Sequence, residues 1–566
     1  MAENKVKYDV IIIGAGMAGS FAAKEFCDAG IKTLLLERGR DVQHNVDYPT
    51  TNMNPWEFKY KGDLPYALKK EMPIQTKCYA CREDAAHFFV KDTDHPYVQD
   101  KPFDWLRGYQ VGGKSIMWAR QTQRWSDFDF EGPARDGYAV DWPIRYKDLA
   151  PWYDKVEHFI GVSGNKDGLD MLPDGDFLKA WDLNCVEDHF KEKVKENYKD
   201  RHVIYARCAH LTEVREIHKQ QGRTLCQSRN LCQRGCPFGG YFNTNSTLIP
   251  WAKRSGNLTL RPHSVVESIV FDEKLGKATS VNIVDANTKE SLSFEAKVIF
   301  VCGATINSNI LLLNSKSDRF PNGLGNDSGV LGKYVAFHNY NARISAKYEG
   351  FLDKVSESRK PTSAYLPRFR NLRKQETDFL RGYAATFGGS RGTYGNSDGF
   401  GTDLLQNLME TSKLADHWSV GSQMMGETIP KESNFVSLDS VEKDQWGVPL
   451  VHINVDYDEN DAKMEQDFIE QYTDMFEKAG FTDIQAQTNT RAPGNDIHEM
   501  GGVRMGKDAK TSILNGWNQM HAVPNVFVTD GSCMTSVSTQ NPSITFMAMS
   551  ARAANYAIEQ MKKGEL

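Results

Sequence analysis

An α/β fold in two parts is predicted by three stretches of this 566-residue chain. Tyr8 to Arg38 reads as strand, glycine turn, helix and strand. Lys297 to Leu313 repeats the order of strand, turn and helix, and Arg343 to about Asn489 alternates apolar and polar residues. Apolar runs next to helices belong to parallel sheets buried on both faces, whereas alternation marks antiparallel strands with one wet face. The expected architecture is a Rossmann-like nucleotide-binding domain plus a second domain with a mostly antiparallel sheet and helices.

In the first stretch, Asp9–Ile13 is a short β-branched run, and Gly14-Ala15-Gly16-Met17-Ala18-Gly19 follows at once. Gly14 allows a tight turn, Gly16 lets the backbone approach a pyrophosphate, and Gly19 lets helix and strand pack closely. The helix N-terminus presents unpaired N–H groups and a positive dipole end to phosphates. Gly14, Gly16, Met17 and Gly19 are therefore candidate dinucleotide contacts. Glu37 ends the second strand 23 residues past Gly14, the distance at which an acid holds a ribose. The competing reading is a structural glycine turn without a ligand. The unit by itself does not separate FAD from NAD.

Composition narrows the classes. A chain of this length builds two or three domains with large cores. The net charge of −6 is modest and its signs are mixed along the chain, which gives nucleic-acid binding no support. No run reaches the ~18 apolar residues of a membrane helix. The N-terminal apolar stretch is consumed by the nucleotide fold and does not read as a signal peptide. The ten cysteines are mostly scattered singly, as for reduced thiols, apart from Cys78 with Cys81 and the trio Cys226, Cys232, Cys236.

Asp41 to Phe103 is polar, with little periodicity, and reads as an excursion over the cofactor. Its Cys78–Cys81 pair lacks the setting of a redox dithiol or a zinc half-site, so ordinary thiols are expected. Gly112-Gly113 with Ser115 makes either a loop against a second phosphate or ring edge, or a plain turn. Trp142 to about Leu225 looks helical and peripheral. The spacing Cys226-x5-Cys232-x3-Cys236-Pro can wrap one cluster, and three close ligands suit three irons better than four. Zinc would need a fourth ligand, with Cys208 or His210 as distant candidates, and buried structural thiols are the remaining reading. Asn257 to Val284 predicts antiparallel strands, and Glu459–Ala479 an amphipathic helix. Near the C-terminus, His498 lies in a glycine-rich stretch with Asn541 43 residues later, a candidate base beside a nucleotide fold. Gly502 rules out HExxH.

These motifs resemble the glucose–methanol–choline (GMC) flavoprotein oxidoreductases over nearly the whole chain. The resemblance rests on GAGMAG with Glu37, VGGKSIMW, VIFVCGATINSNILL, HEMGGVRMG, and TDGS followed by NPSITFMA. It implies FAD, with Gly14, Gly16, Gly19 and Glu37 on the ADP half, Gly112, Gly113 and Ser115 near the flavin, and Asp530 and Gly531 at the pyrophosphate or ribityl chain. Val266 falls where the family touches adenine through its backbone. The catalytic pair would be His498, taking the alcohol proton while hydride moves to flavin N5, and Asn541, orienting the hydroxyl. Met117 stands where a covalent attachment would place histidine, so the FAD is expected to be non-covalent.

Within the family, the cysteine spacing resembles bacterial iron–sulfur sugar dehydrogenases. It implies that Cys226, Cys232 and Cys236 ligate a [3Fe-4S] cluster passing electrons to a cytochrome c-type acceptor. It further implies a small accessory subunit that carries the export signal, hence a periplasmic site, with the cytoplasm as the alternative. The expected activity is oxidation of a sugar secondary hydroxyl, sharpened to C3 of a glycoside. The alternatives are C1 or C2 oxidation of glucose or gluconate, or a non-catalytic electron-transfer subunit. By this reading, residues 1–40, 102–125, 226–340 and 490–566 form the FAD-binding domain, 41–101 and 126–225 are lid segments, and 341–489 bind substrate.

Overall fold

The computed structural model describes residues 7–355, 362–392, 414–488 and 491–566. The rest of the alternating region, residues 356–361, 393–413 and Asn489, lies outside the described residues. Strand β1 (Lys7–Ile13), helix α1 (Met17–Asp28) and strand β2 (Thr33–Leu36) form the first unit. β1 lies at the centre of a sheet with β2 on one side and β6 (Ser291–Val301) on the other. Ile11 stands between Leu34 and Ile299, and all three strands run parallel. Strand Val526–Val528 extends the parallel set beyond β6.

Burial on both faces explains the unbroken apolar runs. Val10, Ile12, Leu35, Val298 and Phe300 pack with Ala18, Ala22, Ala23 and Phe26 of α1 and with Ala553, Ala554 and Ala557 near the C-terminus. The alternate residues Ile11, Ile13, Leu34, Leu36, Ile299 and Val301 join Leu311 and Leu312 of α2 (Thr305–Asn314). This is the two-residue period of a strand, with both sides dry.

The 257–284 region divides. β4 (Ser264–Asp272) and β5 (Lys277–Asp285) form the antiparallel meander that alternation predicts, and β5 pairs antiparallel with β6. Leu258–Arg261 (β3) instead lies parallel to β2. Alternation reports one wet face, and an edge strand of a parallel sheet has one too, so the pattern misassigned its direction.

The second sheet runs β11 (Thr482–Thr488), β7 (Ala342–Tyr348), β10 (Trp418–Glu427), β9 (Tyr383–Ser390), β8 (Ala364–Leu366), and it is antiparallel throughout. Ile204–Tyr205, from the segment read as a peripheral helical cap, adds its edge. That segment is helical only in pieces, chiefly Tyr146–Ile160 and Cys185–Asn197. Helix α3 (Glu459–Lys478) covers the sheet with Met464, Phe468, Tyr472 and Met475, one stripe at helical spacing. Asp458 caps it by accepting N–H bonds from Asn460 and Asp461. The hairpin Phe435–Lys443/Pro449–Asn454 packs through Val436, Val451 and Ile453 against Ile306 of α2. Among the described residues, no helix is long and apolar enough to cross a membrane.

A largely buried ionic cluster ties the second sheet to the rest. Arg381 Nε donates to Glu427 Oε1 at 2.9 Å and its Nη1 to Asp136 at 2.8 Å. Arg368 donates to Glu427, Asp129 and Thr539 Oγ1. Thr539 lies two residues before Asn541, so this cluster anchors the second sheet to the candidate catalytic loop.

Candidate active site

The nucleotide turn is built by close backbone packing. Gly14 has φ +101°, and a Cβ there would stand 2.3 Å from the Cys302 carbonyl oxygen. One on Gly19 would stand 1.9 Å from the Gly14 oxygen. Gly16 differs: its φ is −74° and an added Cβ would meet nothing within 4 Å. Glycine at 16 therefore answers to something outside the polypeptide, as the close approach of a pyrophosphate requires. Met17 begins α1 with no side-chain cap, leaving the first-turn N–H groups directed to the same place. Glu37 is buried, accepting from Ala15 N at 3.1 Å and Gly39 N at 3.0 Å. Burial pushes its pKa up. Ser264 N donates to the Glu37 carbonyl at 2.8 Å, and Val266 follows two residues on in the same strand.

The second glycine loop closes over the first. Gly112 N donates to Ala15 O at 3.1 Å, and a Cβ on Gly113, at φ +52°, would stand 3.4 Å from Gly16 Cα. Gly112 is left-handed at φ +94°, and a Cβ there would also lie 1.8 Å from Asn245 Oδ1. Asn245 in turn donates to the Val42 and Val111 carbonyls. Ser115 Oγ donates to Gly112 O at 2.6 Å and meets Thr244 Oγ1 at 3.2 Å. Asn245 and Thr244 were missed by the sequence reading. Their signal was the NTNST run just after the cysteine loop, which had no pattern of its own. Asp530 is buried and accepts from Ser308 Oγ and from the N–H and hydroxyl of Ser532. It thereby shapes the turn in which Gly531 packs against Thr305 and the Glu499 carbonyl. The glycine loops, the bare helix N-terminus and the buried acid fit an FAD.

The structure brings His498 and Asn541 together, with Asn541 Nδ2 3.3 Å from His498 Nε2. Burial, helped by His338 and Lys114, drives the imidazole pKa well below its usual value, so the ring is neutral. On its other side, His498 Nδ1 lies 2.8 Å from His338 Nδ1, and His338 Nε2 lies 2.6 Å from the Ser538 carbonyl oxygen. Asp496 Oδ2 accepts the backbone N–H of His338 at 2.9 Å and of His498 at 3.3 Å. Burial pushes the Asp496 pKa up to about 7. Neither His338 nor Asp496 was singled out from sequence. His338 lies 160 residues from its partner, and no local motif marks it.

Cys226, Cys232 and Cys236 are half-buried and line one cavity with His210 and Tyr241. Ser228, Asn230 and Gly235 take left-handed φ of 51°, 55° and 81°, which curls the loop around this cavity. Cys232 Sγ is 3.8 Å from His210 Nε2. The sole described His/Cys/Asp/Glu trio with ligand atoms all within 4.8 Å of one another is His338, Asp496 and His498. Three thiols spread around one cavity fit a multi-iron cluster. Cys208 is buried and contacts Ser163 Oγ at 3.4 Å and Tyr205 Oη at 3.6 Å. Cys78 and Cys81 are buried in a small apolar cluster, as expected of ordinary thiols.

Family models described as GMC oxidoreductase match residues 8–338 and 430–550. The chain is 27% identical to 2-methyl-1,2-propanediol dehydrogenase of Mycolicibacterium austroafricanum, over 97% of this chain and 94% of that one. It is 25% identical to the fructose dehydrogenase large subunit of Gluconobacter japonicus, over the full length of both. A structure concerned with FAD modification in Aspergillus oryzae RIB40 formate oxidase shares the fold, with a TM-score of 0.61, 14% identity and 99% of each chain covered. With both family models matched over most of its length, the chain belongs to the GMC oxidoreductases and is an FAD-dependent oxidoreductase acting on CH–OH groups.

Proposed function

We propose that the chain is the flavoprotein of a sugar dehydrogenase, oxidising a secondary hydroxyl of a pyranoside, at C3 of a glycoside in the sharpest form. The observation that carries the chemistry is the neutral imidazole of His498 with Asn541 Nδ2 at 3.3 Å from its Nε2. A hydroxyl seated between them gives its proton to His498. Asn541 donates to the same oxygen and opposes the alkoxide charge as it develops. FAD, held non-covalently by Gly14, Gly16, Met17, Gly19, Glu37, the Gly112–Ser115 loop and the Asp530–Gly531 turn, supplies the hydride acceptor. Sugar as the substrate class is supported by the fructose dehydrogenase large subunit among the relatives. The C3 position follows from the resemblance of the cysteine spacing to glucoside-oxidising members.

Cys226, Cys232 and Cys236 would hold a [3Fe-4S] cluster, which supplies one-electron transfer. Supporting this, the cysteine cavity is joined to the flavin loop by packed side chains. His210 is 3.8 Å from Cys232 Sγ, its ring centroid is 5.9 Å from that of Tyr241, and the Tyr241 hydroxyl donates to the Ile116 carbonyl. A small accessory subunit, a cytochrome c-type acceptor and a periplasmic site reached through that subunit complete the proposal. The relative that is itself a large subunit supports the first of these.

Anaerobic titration with glucose, methyl glucoside and gluconate, after metal analysis of the same sample, tests the reading. Flavin bleaching by methyl glucoside, blocked at C1, with about three irons per chain is the expected result. Bleaching by free glucose alone moves the chemistry to C1 or C2, and an iron-free anaerobic preparation removes the cluster. A His498→Ala variant that is not bleached by sugar more slowly than wild type would remove the base, and wild-type protein that no sugar bleaches, with His498→Ala still reduced and reoxidised normally by a partner, would leave only a non-catalytic electron carrier.

A further inference from the structure

We infer that His338 is a positioning residue that holds His498 in the Nδ1–H tautomer, so that the lone pair of the base stands on Nε2, toward Asn541 and the substrate. The inference rests on the reading of His498 as the base. The proton positions follow from one fixed point. The Ser538 carbonyl oxygen only accepts, so at 2.6 Å His338 Nε2 must carry the hydrogen. His338 is fully buried, and burial lowers its pKa to about 4, so the ring is neutral and its Nδ1 holds a lone pair. The 2.8 Å contact between the two Nδ1 atoms then needs a proton from His498. The rings stand 89° apart, which lets an in-plane N–H of His498 meet the His338 nitrogen. A neutral His498 with hydrogen on Nδ1 has its lone pair on Nε2, where Asn541 Nδ2 approaches at 3.3 Å.

Every link points the same way, from an acceptor-only carbonyl to a free base at the reacting atom. An isolated neutral imidazole exchanges its hydrogen between both nitrogens, and only one tautomer can take the alcohol proton. Asp496 makes the relay rigid, because one carboxylate oxygen accepts the backbone N–H of both histidines. The logic matches that of a base whose third partner sets tautomer and orientation without touching substrate.

Two variants separate tautomer control from packing. His338→Gln places an N–H near Ser538 but offers no acceptor at the Nδ1 position; His338→Asn does the reverse. The readouts are ¹⁵N chemical shifts of histidine-labelled, FAD-loaded protein and stopped-flow flavin reduction by methyl glucoside. Wild-type His498 should show a lone-pair shift at Nε2 and an N–H shift at Nδ1. His338→Gln should average the two and slow reduction about tenfold or more, the effect of one lost hydrogen bond, with methyl glucoside affinity within about twofold. His338→Asn should restore both shift pattern and rate. A wild-type Nε2 bearing hydrogen, or His338→Gln reducing at the wild-type rate, overturns the inference. The shift measurement needs no substrate. Wild-type protein that shows the expected shifts but is bleached by no alcohol would therefore sink the functional reading alone.

Discussion

Gly16→Ala isolates the role of the nucleotide turn from that of the fold. Its backbone at φ −74°, ψ −167° is extended and open to any residue, and the added Cβ meets no protein atom within 4 Å. Without ligand, two small terms oppose one another. The shorter menu of unfolded conformations stabilises by about 0.4–1 kcal/mol, and alanine at a helix N-cap loses a similar amount. The apoprotein should keep its melting temperature within about 1–2 °C. Against a bound pyrophosphate the same methyl is an overpacked group, costing about 1–3 kcal/mol, or about 5- to 150-fold in FAD Kd. Gly19→Ala is the control. Its Cβ falls 1.9 Å from the Gly14 carbonyl oxygen, so backbone must move. The apoprotein should then lose about 3 kcal/mol or more, although alanine is the better helix former by about 1 kcal/mol. FAD titration of each apoprotein, followed by flavin fluorescence, and melting curves without FAD make the measurement. Wild-type affinity in Gly16→Ala, or an apoprotein as destabilised as Gly19→Ala, would refute a pyrophosphate against this glycine.

Three further outcomes follow from the geometry. Cys226→Ser, Cys232→Ser or Cys236→Ser should each drop iron from about three per chain to near none while flavin bleaching by substrate persists; full iron retention would remove these ligands. Arg381→Met should lower stability in urea by about 3–5 kcal/mol, because it leaves Glu427 and Asp136 short of a buried cation; a change under 1 kcal/mol would deny the cluster its structural weight. His452 lies between Asp439 at 2.9 Å and Asp100 at 2.8 Å, bonds that raise its pKa. Its contribution is full below the unfolded value of about 6.5 and fades as pH rises through the raised value. The wild-type advantage over His452→Gln in urea should therefore be largest below about pH 6.5 and fall away as pH rises above it; a constant difference would show packing alone.

The sequence by itself determined what is local. Gly14, Gly16 and Gly19 were legible because a turn, a ligand approach and a helix–strand contact each demand a missing side chain at fixed spacing. The buried strands were legible because both faces must be apolar. The stripe of α3 and its Asp458 cap likewise lie within one helix. Where a pattern was shared by two arrangements, the tertiary structure chose. Leu258–Arg261 alternates as an antiparallel strand does, yet pairs parallel to β2, because hydrogen-bond partners are set by the whole sheet. Ile204–Tyr205 is too short to announce itself and is a strand only because β8 offers an edge. The partners that tune the site were hidden for the same reason. Asn245 presses on Gly112 from 133 residues away, and Arg381 reaches Asp136 across 245. The His338 imidazole meets His498 only after segments 160 residues apart are folded together. Residue type and spacing dictate which chemistry a segment can offer. The proton position on His498 depends on a chain of hydrogen bonds that has no sequence period, so only the folded chain decides it.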